Sequence, residues 1–514
     1  MEIKDDEKSN IKTSLIGKTK IPAVLILEGN RTYGRDKKSG KLLYKCRPDD
    51  GLLPIFLVPY EIKRIGFNKS LVNLYVTIQL THWENKHPQG QLTLTIGPVN
   101  VNENFYDYQI YCKGLHLPIH SLTKHAHIYT KHILEEEGTE SNLENNLETR
   151  YEYNVFSIDP EACSDFDDAF SIKTLDNDRI LLSIYISNVP AVLEEGGLWQ
   201  HFADRIATIY LPNKKIPMLP HCLSDGICSL KSGTKRQAFT LDLIIHKDTG
   251  DVISCTYLNT IICISRNYIY NEHDLLVNSD YMLLLDTSRK MCTNILLGFK
   301  EGIKDSHDVV AYLMIFMNHR CAQDLEQGIF RQVTNNDSIS NNPLHFYNGS
   351  YTLNKHAAHK ALNLETYTQI TSPIRRLVDL LNLLQIQKQY GLATFSEHAT
   401  WFYNRMTSHT NIERINEVSK KIKRVQNECA LLQMCSESTF SMDTIYDGLF
   451  IDVEKSYKDK IGTIYLVYLP ELKLYTTCIL HDVTIVMETP GQFKLFLFHN
   501  ETKMKRKIRA LYIE

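Results

Sequence analysis

No apolar run in this chain approaches the ~20 residues that a membrane-spanning helix requires, and its first residues, MEIKDDEKSNIK, are polar. An excess of basic charge is also missing: 57 Lys and Arg stand against 60 Asp and Glu, for a net charge of −3. No global positive field marks a nucleic-acid binder, so such a partner must be gripped by local patches. The twelve cysteines include no CxxC pair. The nearest couples, Cys222 with Cys228 and Cys429 with Cys435, lack the histidine arrangement of a tetrahedral zinc site, and reduced, mostly buried thiols are expected. Internal repeats and low-complexity tracts are absent as well. The expectation is a cytoplasmic protein, with the nucleus as the other compartment, and no membrane partner.

What the chain does contain, over 514 residues, is enough length for about three to four domains. After a polar tail (1–20), short β-rich runs follow from Ile21: AVLILEG, LLYKC, IFLVPYEI, LVNLYVTIQL and QLTLTI, separated by turn signals. Five short strands suit a small OB-like barrel, here assigned to 21–130. Glu135 to Glu152 carries seven glutamates against one arginine and reads as a solvated linker or exposed helix, which places a boundary at 131–152. From 153 to 436 strands and helices mix: ILLSIYISNV and AFTLDLIIH look like buried strands, and Ser306–Glu326 and Ile374–Tyr390 have helical periodicity. A second all-β unit, 441–514, has GLFIDV, IGTIYLVYL, TCILHDVTIVM and FKLFLF as strand candidates. The predicted fold class is α+β, an α/β centre flanked by OB-type barrels, which recur as single-strand nucleic-acid platforms.

The centre holds the most demanding feature. Between Ile158 and Ala169 the sequence IDPEACSDFDDA groups Asp159, Asp165, Asp167 and Asp168. Two carboxylates about 4 Å apart repel by about 4 kcal/mol at an effective dielectric near 20, so four of them beside apolar residues call for a cation. An exposed acidic loop is the bland alternative, but Phe156, Ile158, Phe166, Ala169 and Phe170 argue against simple solvation. On one helix Asp159 and Asp168 would point about 180° apart. Pro160 instead favours a strand end followed by a loop. Mg²⁺ takes oxygen ligands and shares its shell with substrate phosphates, which points to phosphoryl chemistry with the four aspartates as metal ligands.

A second motif, TSPIRRLVDLLNLLQIQKQYG, spans Thr371–Gly391. Ser372 can cap a helix, Pro373 suits its first position and Gly391 can end it. Arg375 and Arg376 then fall in the first turn, where cations oppose the helix dipole but a bound phosphate would be welcome. A surface Arg375–Asp379 pair is the equal alternative.

These segments, IDPEACSDFDDA and YTQITSPIRR, resemble the two signatures of the RNB exoribonucleases, the group of bacterial ribonuclease II and ribonuclease R and the exosome-type nucleases of eukaryotes. RIATIYLPNKKIPMLPHCLSDGICSLKSGTKRQAFTLDL is similar to the stretch between them. YKCRPDDGLLPIFLVPY with HWENKHPQGQLTLTIGPVN resembles the cold-shock barrel that precedes the RNB domain, and the closing β unit sits where the family has a ribosomal-type RNA-binding OB domain. The resemblance covers nearly all of the chain after residue 20. It implies processive 3′→5′ hydrolysis of single-stranded RNA to nucleoside 5′-monophosphates, by a monomer. By motif position Asp159, Asp165, Asp167 and Asp168 match the Mg²⁺-holding catalytic aspartates, and Arg375 the arginine that steadies the scissile phosphate. Tyr270 matches the tyrosine that stacks on the 3′-terminal base, and Tyr210 an aromatic clamp further out; Arg376 joins them as a substrate contact. His359 and Tyr367 resemble a stretch beside the active site, with no catalytic role given to His359, and Arg236 falls on a family arginine. For the RNA path, Lys420, Lys421, Lys423 and Arg424 cluster in one predicted helix. Lys494, Lys503, Lys505, Arg506, Lys507 and Arg509 cluster near the C-terminus.

The chain also departs from the family. Leu377 replaces the usual tyrosine after the arginine pair, apolar sequence near Leu383 replaces a histidine, Ala311 and Tyr312 replace acidic residues, and Asn188 replaces an aspartate. One cold-shock barrel is expected where many members have two, with no upstream endonuclease domain. The alternatives to an enzyme are an RNB-fold RNA-binding protein with weakened or lost catalysis, and a scaffold recruited through its barrels.

Overall fold

Alternating burial in the first runs of sequence folds them into a closed barrel. The structure, a computed structural model, describes residues 20–62, 71–84, 86–136, 147–333, 349–456, 462–481, 485–486, 489–500 and 505–513. All but the last residue of the polar tail, the middle of the acidic stretch and Lys503 lie outside the described residues.

Strands β1 (Ile21–Leu25), β2 (Leu42–Pro48), β3 (Phe56–Tyr60), β4 (Leu74–His82) and β5 (Gln89–Pro98) close in the order β1-β2-β3-β5-β4. Ala23 pairs with Pro48 on one side and Val76 on the other, so β1 is antiparallel to both neighbours, and a parallel β3–β5 contact closes the ring. Ile21, Ala23, Leu25, Tyr44, Cys46, Phe56, Val58, Val76 and Ile78 fill it. Helix α1 (Asn102–Cys112) buries Phe105, Tyr106, Tyr108 and Ile110, and α2 (His120–Glu136) follows.

The acidic stretch does not remain a linker to Glu152, because β6 (Glu148–Asp159) already begins at Glu148. Arg150 is the physical reason. It points inward, 2% exposed, and donates two hydrogen bonds to Asp242 (2.8 and 2.6 Å) and one to Ser183 (3.1 Å). With β7 (Asp168–Thr174), β8 (Arg179–Ser187), β11 (Lys235–His246) and β12 (Val252–Ile269), β6 forms a second closed barrel, in the order β11-β12-β6-β7-β8. Between β8 and β11 lie α3 (Val189–Glu195) and the small hairpin of β9 (Ile209–Leu211) and β10 (Lys214–Ile216). The barrel core contains Phe156, Ile158, Phe170, Ile184, Leu241 and Leu243, and residues of α4 (His273–Leu276), α5 (Ser279–Asn294) and α6 (Ser306–Asp324) pack into the same cluster. The chain continues through β13 (Phe330–Gln332), β14 (Ser350–Thr352), α7 (Leu377–Gln389), α8 (Glu397–Met406) and α9 (His409–Cys435). Gly391, at φ +65°, follows the end of α7 in the left-handed conformation that glycine adopts without cost.

A third closed barrel, β15-β16-β17-β19-β18, ends the chain, with β15 (Ile445–Ser456), β16 (Thr463–Leu469), β17 (Leu474–Leu480), β18 (Pro490–Asn500) and β19 (Lys505–Ile513). Within the segment TCILHDVTIVM, β17 ends at Leu480, and β19 was hidden in sequence because cations alternate with its inward residues. The described residues divide into two compact units: Met1–His116, Tyr210–Lys215 and Lys420–Glu514 form one, and Leu117–Ile209 with Ile216–Ser419 the other. Among them no helix is long and apolar enough to cross a membrane.

Candidate active site

The aspartates occupy a strand end, a loop and a strand start, as Pro160 suggested. Asp159 is the last residue of β6, Asp165 and Asp167 sit in the loop, and Asp168 opens β7. Strand pairing gathers them: Phe156 faces Phe170 across β6 and β7, and the Asp167 carbonyl accepts from Ser187 N–H at 2.8 Å. The same logic delivers a distant residue. Parallel pairing of β12 with β6 ends at Ile269 opposite Asp159, so the next residue, Tyr270, donates its N–H to the Asp159 carbonyl at 3.1 Å.

The SPIRR motif supplies the cation. Asp167, 2% exposed, accepts from the Ile374 N–H through Oδ1 and from Arg375 Nε through Oδ2, both at 2.9 Å. Arg375 Nη2 also donates to Ser372 Oγ at 3.1 Å, while the arginine side chain stays 43% exposed. The guanidinium is therefore anchored at one edge and accessible at another.

The expected helix start is corrected. Helix α7 begins at Leu377, not at Pro373, because Arg376 is extended (φ −135°, ψ 126°) and bridges to Ala207. Thr208 N–H donates to the Arg375 carbonyl and Leu377 N–H to the Ile206 carbonyl, which pulls the segment into a strand-like pairing. Neither arginine opposes the helix dipole from inside the first turn. Nor does Arg375 pair with Asp379: Arg376 does, at 2.7 Å, and Asp379 is fully buried. Asp379 Oδ1 also accepts from Ser372 N–H at 2.9 Å, so one carboxylate fixes both ends of the turn that presents Arg375. Sequence reasoning weighed Asp379 only as a surface partner; its place four residues after an arginine gave no sign of burial.

Burial dominates the electrostatics. It pushes Asp159 up to about 6, with Ser157, Cys163 and Arg375 pulling back only in part. Asp167 rises to about 7 because burial outweighs the Arg375 contact, and Asp168 is raised well above the carboxylate range by burial and by the charges of Asp159 and Asp167. Asp159 Oδ2 is buried and meets no donor in hydrogen-bonding geometry. Among the described residues no three His, Cys, Asp or Glu side chains are gathered tightly enough to grip a metal ion, and Asp167 is held by Arg375. The donor set nevertheless fits a hard divalent cation: it is all oxygen, it holds an orphaned carboxylate atom, and it is short of positive charge.

Of the other residues singled out, Tyr270 lies beside the carboxylates, and its hydroxyl is pushed up by burial and by Asp168 and Asp159. Its ring stacks on His307, with centroids 3.7 Å apart. Tyr210 belongs to the other compact unit, where the residue is 41% exposed and its N–H donates to Gln426 Oε1 at 3.0 Å. Arg236 donates to the carbonyls of Ser229 and Gly226, a structural role, and His359 is buried against the Tyr367 ring. The departures Leu377, Leu383 and Tyr312 are core residues, Ala311 is exposed, and Asn188 caps α3 and bonds Gln387. Lys505 is not an RNA-tracking cation: it is 8% exposed and paired with Asp49 at 2.6 Å.

Residues 148–281 and 310–391 match the RNB domain family. The chain is 37% identical over 119 residues to ribonuclease R of Thermotoga maritima, covering 23% of this chain and 17% of that protein. It is 30% identical over 145 residues to the human exosome complex exonuclease RRP44, covering 28% and 15% of the two. The matched stretches thus span less than a fifth of the length of these relatives. Among solved structures, the apo form of Mycoplasma genitalium RNase R superposes with a TM-score of 0.68 at 14% identity, covering 96% of this chain and 90% of that one. Yeast Ssd1, a pseudonuclease, superposes with a TM-score of 0.57 at 12% identity, covering 94% and 68%. The fold is that of RNase R, and the RNB domain match lies in residues 148–281 and 310–391.

Proposed function

We propose that this chain is a Mg²⁺-dependent 3′→5′ exoribonuclease that hydrolyses single-stranded RNA processively to nucleoside 5′-monophosphates. The observation that carries this reading is the junction of Arg375 and the Ile374 N–H on Asp167, beside Asp159, Asp165 and Asp168, with the Tyr270 N–H on the Asp159 carbonyl. Relatives named ribonuclease R and exoribonuclease 2 support the reaction class, and an RNase R structure in complex with ribose methylated single-stranded RNA supports the substrate class.

The chain's own residues divide the work. Asp159, through its orphaned oxygen, with Asp165 and Asp168 would hold Mg²⁺, which when bound supplies an activated water and neutralises phosphoryl charge. Arg375, oriented by Asp167 and Ser372, meets the negative charge that develops on the phosphate. Tyr270 receives the last base on its face; such stacking contributes about 1–3 kcal/mol and tolerates any sequence. We place the enzyme in the cytoplasm or nucleus as a monomer; the twelve free thiols support a reducing compartment.

A second reading, an RNB-fold RNA-binding protein without turnover, is favoured by the likeness to a pseudonuclease and by the apolar residues at Leu377 and Leu383. Incubation of the protein with 5′-labelled single-stranded RNA and Mg²⁺ separates the two. The enzyme gives a descending ladder of products; RNA that stays bound but unshortened at every Mg²⁺ concentration selects the second reading.

A further inference from the structure

One face of the Tyr270 ring is already covered. Tyr270 and His307 lie ring on ring, with centroids 3.7 Å apart and planes inclined by 14°, which is the spacing of stacked bases. Elsewhere Tyr270 packs against the barrel core that holds Phe156 and Ile158, and its N–H is engaged by the Asp159 carbonyl.

A fixed backbone brings the two rings together. Asn271 adopts φ +58°, a left-handed conformation unusual outside glycine, and its N–H donates to Ser306 Oγ at 3.0 Å. Ser306 Oγ in turn donates to Asn271 Oδ1 at 2.8 Å, and Ser306 N–H reaches the same oxygen at 3.4 Å. These bonds tie the first turn of α6 to the turn after β12. His307 follows Ser306 directly and is exposed, so its main chain is held while its side chain can rotate within ps–ns.

We propose that His307 is a base-mimicking cap on Tyr270: its imidazole holds the stacking place of the 3′-terminal base in the RNA-free protein and is displaced when an RNA end arrives. The proposal rests on the exoribonuclease reading for the identity of the incoming ligand. The cap is an intramolecular competitor, so it weakens the binding of every RNA end by a common factor, whatever its base. It also helps to expel short products whose few remaining stacks no longer outcompete the histidine, and so contributes to setting the length of the final product.

The test uses the full chain carrying Asp167→Asn, which separates binding from cleavage, titrated with a short single-stranded oligoribonucleotide bearing 2-aminopurine at its 3′ end. Stacking on Tyr270 quenches the fluorophore. His307→Ala should tighten Kd by about two- to tenfold, the strength of one aromatic pair, and His307→Phe should weaken it. With Tyr270→Ala also present, substitutions at 307 should leave Kd unchanged, because the surface they compete for is gone. Weaker binding by His307→Ala would mean that the base rests on the histidine as well, and would overturn the cap; an unchanged Kd would overturn it equally. Wild-type protein that binds the oligonucleotide without shortening it overturns the exoribonuclease reading alone and leaves the cap to the Kd series. Binding by none of the variants overturns both.

Discussion

At the scale of single residues, the site is a contest between burial and charge. Asp167 is held by Arg375 and by a backbone N–H, yet burial still raises it to about 7. Its replacement by asparagine keeps an acceptor for the Ile374 N–H but removes the charge that orients Arg375. Asp167→Asn should lower kcat by about 10²–10³-fold, the scale seen when one preorganised electrostatic contact is lost, with RNA affinity nearly unchanged. Single-turnover assays beside filter binding check this; loss of binding would make the residue structural. Asp379 acts at one remove. It touches neither carboxylate cluster nor substrate, but it holds Ser372 N–H and Arg376 and thereby the turn that carries Arg375. Asp379→Asn should destabilise the fold by about 1–3 kcal/mol in urea titrations and lower kcat more than it raises KM. The aspartates were legible in sequence because four carboxylates among aromatic and aliphatic residues have no cheap solvated form. Asp379 was not legible, since an Arg-x-x-x-Asp spacing on a helix ordinarily describes an exposed pair, and only the extended Arg376 turns that aspartate into a buried anchor.

At the scale of elements, the strands that read as apolar runs and are buried along most of their length were legible, as in β8 and β11, whereas β6 was not. Strand β6 looked like linker because Arg150 and its neighbouring glutamates read as solvated, while Asp242 and Ser183 make that arginine an inward residue. The start of α7 failed for a related reason: the local signals at Ser372 and Pro373 were sound, but pairing of Arg376 with Ala207 is a long-range contact that no local signal reports. The buried Arg150–Asp242 pair joins β6 to β11, and Ser183 of β8 hydrogen-bonds both side chains. Arg150→Met should therefore cost about 3–5 kcal/mol, because it strands a largely buried carboxylate, and adding Asp242→Leu should recover most of that loss. Chemical denaturation of the two single variants and the double variant measures the coupling. A double variant no better than Arg150→Met would mean that the arginine acts through its packing and not through its charge.

At the scale of the whole molecule, the metal-free protein carries a charge imbalance that pH and Mg²⁺ relieve in opposite ways. Asp159 and Asp167 keep protons up to about 6 and about 7 in the fold, whereas the ordinary value is 3.8. Between those limits the folded chain binds more protons than the unfolded chain, so ∂ΔG/∂pH of unfolding is negative and stability falls as pH rises from about 4 to about 7. Mg²⁺ requires ionised carboxylates, so its binding releases these protons and is stronger on the alkaline side. Thermal melts in EDTA should accordingly show a Tm that declines from about pH 5 to about pH 8, and saturating Mg²⁺ should raise Tm more at the higher pH, by about 2.7 kcal/mol of stability at 100-fold excess over Kd. Asp159→Asn with Asp167→Asn should make the EDTA profile shallower and remove most of the Mg²⁺ increment, because both carboxylates hold protons there and Asp159 is among the residues that would hold the ion. An increment that survives the double substitution in full would locate the divalent ion elsewhere in the chain and leave Arg375 as the cation these aspartates were built around.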